Sequence, residues 1–293
     1  MRSSTFILKA GVLAAAFMSM SAASAYAADL VAINSSNQIG VFNANNAVDA
    51  VFNNISGDAV GESFIGIDLR PSNNTLYGIT RSNKIFTIDA YTGSSTFVAS
   101  LANPVVAASK SYGFDFNPVA DISGASSLRL ISSTGDNYAV NVNTGAVTLA
   151  TSLITGFTGV SYTNSNANNP TIVPNSTALY YINSANDTLN VATTAFNNPS
   201  ISIIGSLGID ILSANGFEID ANGIGYAAVN MDNGFLKSEL IKINTMTGQA
   251  EWVSTFNGTI NGLTVAPVPE PETYAMMIAG LGLLGFSARR KQI

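Results

Sequence analysis

The 293-residue chain contains no cysteine and no histidine, has a single tryptophan, and carries charged side chains at only 10% of its positions. Without cysteine there is no disulfide framework, thiolate nucleophile or sulfur-held metal, so the core alone must carry stability. Without histidine there is no Ser-His-Asp or Cys-His catalysis, no histidine-ligated zinc and no imidazole general base. Any metal would be held by oxygen, which restricts it to hard cations such as calcium or magnesium. Basic residues are scarce in the middle of the chain: Arg2, Lys9, Arg289, Arg290 and Lys291 account for five of the 12. Residues 28–267 keep seven basic against 16 acidic side chains, a net charge near −9. So acidic a domain, without a basic run, argues against nucleic acid and anionic membrane surfaces as partners.

The two ends read as address labels. Arg2 and Lys9, the apolar stretch 10–20 and the small-x-small site Ala25-Tyr26-Ala27 predict a signal peptide over 1–27, handled by the general secretion machinery. At the other end, Pro269-Glu270-Pro271 holds the backbone extended, an apolar run follows over 274–286, and Arg289, Arg290 and Lys291 close the chain. The run is shorter than the roughly 20 residues of a spanning helix. It predicts a short membrane helix that tilts, thins the bilayer or holds only transiently, with its basic end in the cytoplasm.

These three parts, in this order, resemble the PEP-CTERM sorting signal of Gram-negative bacteria over residues 268–293. The resemblance implies cleavage by a membrane protease called exosortase, transient anchoring at the inner membrane, and release to the cell surface or exterior. It also implies an exopolysaccharide or biofilm setting. The plainer alternative is an unprocessed C-terminal anchor.

Between the signals the chain is rich in Asn, Ser, Thr and Gly, with short β-branched and aromatic runs and no helical periodicity, a pattern of many short strands. One phrase recurs: GIDLRP (66–71), GFDFNP (113–118), GVSYTN (159–164), GFEIDA (216–221) and GLTVAP (262–267). The glycine spacings of 47, 46, 57 and 46 residues suggest propeller blades of four strands. The clearest repeat lays its strands over 64–70, 75–80, 84–89 and 95–100, and the turn DAYTG (89–93) returns as NVNTG (141–145) and NTMTG (244–248). In each, glycine supplies the left-handed conformation and Asp or Asn caps the start. The fifth first strand, 262–267, has no blade after it. The segments 30–33, 39–42 and 48–55 read as second, third and fourth strands without a first. An all-β, five-bladed propeller follows over 28–267, in which the C-terminal strand completes the N-terminal blade and removes two exposed edges. The longest spacing contains an Asn- and Pro-rich insertion, 164–176, expected as a surface loop that contacts a partner or is merely tolerated.

The repeat phrase, the segment LYGI (76–79) and the Asx-x-x-Thr-Gly turns resemble DUF4394, a bacterial family of exported proteins of unknown function, over about 28–267. The resemblance is weakest in the third repeat, where Ser161 replaces the acidic residue. It implies the fold and brings no activity.

Alternation along a strand sets Asp68, Asp115, Ser161, Glu218 and Thr264 apart from their apolar neighbours, predicting a polar ring near the central channel. The first expectation for Asp68, Asp115 and Glu218 is that they accept hydrogen bonds from backbone amides of adjoining blades. The second is a calcium or magnesium ion between them, which would relieve like-charge repulsion. The third is glycoside hydrolysis by paired carboxylates, which only the residue types support. Trp252, Tyr77, Tyr180, Tyr181 and Tyr226 are expected as inter-blade core rather than sugar-stacking residues, and Asp220-Ala-Asn222-Gly223 as a turn rather than a calcium loop. The reading that results is a non-enzymatic exported protein of the cell surface or extracellular matrix, a binding or structural module that takes glycan or another protein, with a polysaccharide hydrolase as the alternative.

Overall fold

The computed structural model describes residues 29–125, 127–165, 172–231 and 237–267. The expected signal peptide over 1–27, the expected short membrane helix and the middle of the 164–176 insertion lie outside them. Among the described residues no helix is long and apolar enough to cross a membrane.

Five sheets, antiparallel but for one short edge pairing, form a propeller. Blade I holds β1 (Asp29–Asn34), β2 (Gln38–Asn43) and β3 (Asn53–Asn54). The short β4 (Ser56–Gly57) follows, and blade II runs through β5 (Phe64–Arg70), β6 (Thr75–Thr80), β7 (Lys84–Ile88) and β8 (Ser94–Ser100). Blade III has β9 (Tyr112–Phe116), β10 (Ser127–Ser132), β11 (Asn137–Asn141) and β12 (Ala146–Leu149). Blade IV has β13 (Phe157–Tyr162), β14 (Leu179–Asn183), β15 (Thr188–Ala192) and β16 (Ser202–Ser206). Blade V has β17 (Ser213–Ile219), β18 (Ile224–Asn230), β19 (Ser238–Asn244) and β20 (Ala250–Thr255). The last strand, β21 (Ile260–Val265), returns to pair with β1, Leu30 opposite Val265 and Ile33 opposite Gly262. The ring is therefore closed by the C-terminal strand, as the orphan first strand predicts.

The expected fourth strand over 48–55 forms only in part. Residues Ala47–Asp49 make a 3-10 turn, and only Asn53–Asn54 pairs with β2. Asn43 Oδ1 accepts the Asn45 amide and Asn46 Nδ2 donates to Asp49, local bonds that compete with a ladder. The next residues leave the blade altogether, since β4 runs parallel to β8 and extends blade II to five strands.

The apolar side chains sort into five clusters, one at each joint between blades. Ile33 and Ile39 of blade I meet Phe64 and Phe86 of blade II, and Tyr77 and Ile79 meet Phe114 and Leu130. Ile131 meets Phe157 and Tyr181, Ile182 and Leu189 meet Phe217 and Ile241, and Tyr226 and Leu240 meet Leu30 and Leu263. Tyr77, Tyr181 and Tyr226 are thus core, and Tyr180 is half-buried at its edge. Trp252 is not, being 61% exposed on the outermost strand of blade V with Nε1–H donating to Glu239. No further blade stacks on that edge, so a large side chain there has nothing to cover it.

The repeated glycines mark where neighbouring innermost strands touch. A Cβ on Gly113 would stand 2.9 Å from the Val160 amide nitrogen, and one on Gly262 2.8 Å from that of Ile67. Only hydrogen fits between such backbones. The Asx-x-x-Thr-Gly turns form as expected: Asp89 Oδ1 accepts the amides of Tyr91 and Thr92, and Gly93 has φ of 75°. Beneath the joint of blades II and III, Asn117 caps α1 (Pro118–Ile122) by accepting the Ala120 amide at 3.0 Å. The helix offers its buried Asp121 to Arg70 Nε at 2.8 Å and to the Ser72 amide at 3.0 Å.

Candidate functional site

The five polar residues of the repeat phrase converge where the five innermost strands meet. Three blade joints use them alike, as predicted for Asp68 alone, each accepting the amide that follows the polar residue of the next blade. Asp68 Oδ2 accepts Phe116 N–H at 2.7 Å, Ser161 Oγ accepts Ile219 N–H at 2.9 Å, and Thr264 Oγ1 lies 3.4 Å from the Leu69 nitrogen. The other two joints do not. Glu218 Oε1 takes the amide of its own neighbour Ile219 at 3.1 Å, and Asp115 takes none. The Tyr162 amide and Ser161 hydroxyl favour an ionised Asp115, yet neither closes a hydrogen bond to it. The expectation that each carboxylate accepts an amide of an adjoining blade is therefore corrected at Asp115 and at Glu218, which takes an amide of its own strand instead.

One oxygen from each of Asp68, Asp115 and Glu218 lies within 4.8 Å of the other two. Their exposures are 4%, 1% and 2%, so at this depth the centre is filled with side chains and is not an open channel. Thr264 Oγ1 stands 2.8 Å from both Asp68 Oδ1 and Glu218 Oε2. A hydroxyl donates one hydrogen, so it serves both only if one carboxyl is protonated and donates back. Burial pushes the Asp68 carboxyl up to about 7, against the lowering effect of the Phe116 amide and Thr264 hydroxyl. Burial also drives Asp115 well up, reinforced by the charges of Asp68 and Glu218, and Glu218 follows through burial and the Asp68 charge. Among the described residues no cation lies within salt-bridge reach of the three. Arg70 is held by Asp121, and Arg129 by Tyr162, Asn137 and Asn197.

A pH dependence follows. The folded state holds protons on these carboxyls that the unfolded chain has released, so stability is greatest below the ordinary carboxylate range and falls as pH rises toward and past 7. In chelator-treated buffer the melting temperature is expected to drop between pH 5 and pH 8. Replacing Asp115 by Asn is expected to flatten that drop, as read by circular dichroism at each pH.

A second feature, missed in the sequence, lies at the mouth where the innermost strands begin. A pocket of about 160 Å³ is lined there by Arg81, Lys110, Ser111, Asn215, Asn230 and Asn261, with the first residues of β5 and β9. β-bulges precede the repeat glycines in β5 and β17, and a register shift leaves Asn261 unpaired in β21. Each gives the chain an extra residue, which re-aims a side chain. Ile65, Asn215 and Asn261 are the residues so placed, and all three line the pocket. Asn261 Nδ2 donates to Phe64 O at 3.2 Å, whereas the half-buried Asn215 amide makes no hydrogen bond among the described residues. The available signal was the residue before each repeat glycine, polar in the last three repeats as Thr158, Asn215 and Asn261. Asp220 to Gly223 is a plain turn, with Asp220 Oδ1 accepting the amides of Asn222 and Ile224.

Fold and site together define a five-bladed β-propeller with a sealed acidic hub and a polar mouth. The model of a domain of unknown function, DUF4394, matches residues 38–264, and the chain belongs to that family. A PEP-CTERM protein-sorting motif matches residues 267–291, so the protein is exported, recognised by exosortase, and directed to the cell surface or exterior. No curated protein matches the chain. Among solved structures it is similar to a calcium-binding protein, regucalcin, from Agrobacterium tumefaciens strain C58, at 12% identity and a TM-score of 0.42, covering 80% of this chain and 78% of that one.

Proposed function

We propose that the protein works without catalysis, as a rigid binding module that holds extracellular glycan at the polar mouth of the propeller. The observation that carries this reading is the bulge-directed pocket, where amides, a hydroxyl and two cationic side chains from different blades face one opening. Amide and hydroxyl groups pair with sugar hydroxyls, and Arg81 suits the carboxylates of acidic polysaccharides, beside Lys110, which Asp136 holds in an ion pair. The reading is also supported by the sealed hub, since general acid–base chemistry on a glycosidic bond needs carboxyls that reach the substrate. The PEP-CTERM signal supports a Gram-negative source, a temporary inner-membrane tether over 268–293, and delivery into an exopolysaccharide matrix or biofilm.

A glycan array probed with the exported protein tests it. Binding to at least one class of bacterial polysaccharide is expected, with a loss of about tenfold in Asn215→Ala or Arg81→Ala, the scale of one charge-assisted hydrogen bond. A variant on the far rim, Met246→Ala, is expected to bind as the parent does. Equal binding by all three variants would exclude the mouth.

A further inference from the structure

We infer that Asp68, Asp115 and Glu218 form a calcium site at the hub of the propeller, one that fastens three blades through a shared ion. This goes beyond the binding reading and does not depend on it, because the hub and the mouth share no residue.

The first ground is geometric. Carboxylate oxygens from blades II, III and V gather within 4.8 Å of one another, and Thr264 of blade I adds a hydroxyl in contact with two of them. Calcium binds oxygens at 2.3–2.6 Å, so ligands on opposite sides of one ion stand up to about 5 Å apart. Magnesium, at 2.0–2.1 Å, would need them within about 4.2 Å and parts reluctantly with its waters. Separations of at most 4.8 Å admit either ion, and the choice rests on the depth of the hub, which suits the ion that gives up its waters more readily. The donor set is all oxygen, as a hard cation prefers.

The second ground is independent of the clustering. Asp115 is 1% exposed, and neither of its carboxylate oxygens has a hydrogen-bond partner. Buried carboxylates ordinarily have several, because an unpaired one costs several kcal/mol. Ser161 of the next blade accepts from the Ile219 amide and turns its own hydrogen to Tyr162 O, and among the described residues no cation pairs with Asp115. Both Asp115 oxygens therefore remain available for the ion, while Asp68 and Glu218 each keep backbone amides that fix their orientation. Such second contacts are what hold a ligating carboxylate in place.

The site also explains why only three of the five repeat positions are acidic. Three carboxylates overbalance one divalent cation by a single charge. Ser161 and Thr264 complete the ring without adding to the excess.

The test is calorimetric titration of chelator-dialysed exported protein with calcium chloride, magnesium chloride in parallel, and thermal unfolding at pH 8. The expected result is one calcium per chain, much weaker magnesium binding, and a melting temperature raised by about 5–10 °C at a hundredfold excess over Kd. Asp115→Asn is expected to melt, without calcium, no lower than the parent, and to lose the calcium-dependent rise. Glu218→Gln is expected to weaken calcium at least about tenfold. Absence of both heat and stabilisation in the parent at millimolar calcium overturns the proposal. So does an Asp115→Asn variant that folds and is stabilised by calcium as fully as the parent.

Discussion

A chain ended after Thr259 is expected to lose its cooperative unfolding transition. The deleted β21 carries the buried Ile260 and Leu263 and the whole first strand of blade I. Removing two such side chains costs about 4–10 kcal/mol, which already rivals the 5–15 kcal/mol that keeps a typical domain folded. The loss does not stop there, because β1 becomes a bare edge and the joint between blades V and I loses one wall. Thermal unfolding followed by circular dichroism checks this, with a chain ended after Pro267 as the control. A sharp transition in the shorter chain would mean that blade I closes without β21.

Gly216→Ala is expected to destabilise by about 3 kcal/mol or more. Its φ of 152° lies where side chains are rarely tolerated, and an added Cβ would collide with the backbone nitrogen and Cβ of Leu263 in the closing strand. Strain of this kind costs about 1–3 kcal/mol, and overpacking against backbone costs a similar amount again. Gly223→Ala makes the comparison, since its φ of 78° is also positive but no atom stands within 4 Å of the new methyl. About 1 kcal/mol is expected there. Denaturant midpoints for the two variants separate crowding from conformational strain. Equal losses would show that the approach of β17 to β21 is not what requires glycine.

The ring and its closure were legible because they depend on local signals that repeat. Strand periodicity, Asx-x-x-Thr-Gly turns and the glycine phrase each recur at blade spacing, and an orphan strand at one end matches a gap at the other. The fragmented segment after Asn43 was not legible, because apolar Val48 and Val51 imitate a strand while asparagine side chains bond locally and break it. The convergence of Asp68, Asp115 and Glu218 could be anticipated from alternation alone. Which of them find amides could not, since that depends on how far each strand slides against its neighbour. The mouth pocket escaped for a related reason: a bulge adds one residue to a strand, and alternation then misplaces everything before it.

Because Leu30 pairs with Val265, a chain threaded across a membrane N-terminus first cannot lock its ring until nearly all of it has crossed. Blade I waits for its missing strand, because its closing pair joins the two ends of the ring whereas the other blades pair strands close in sequence. The passenger thus stays pliable in transit and stiffens on the far side. The sorting motif begins at residue 267, immediately after this latch, so the motif draws on no strand of the ring.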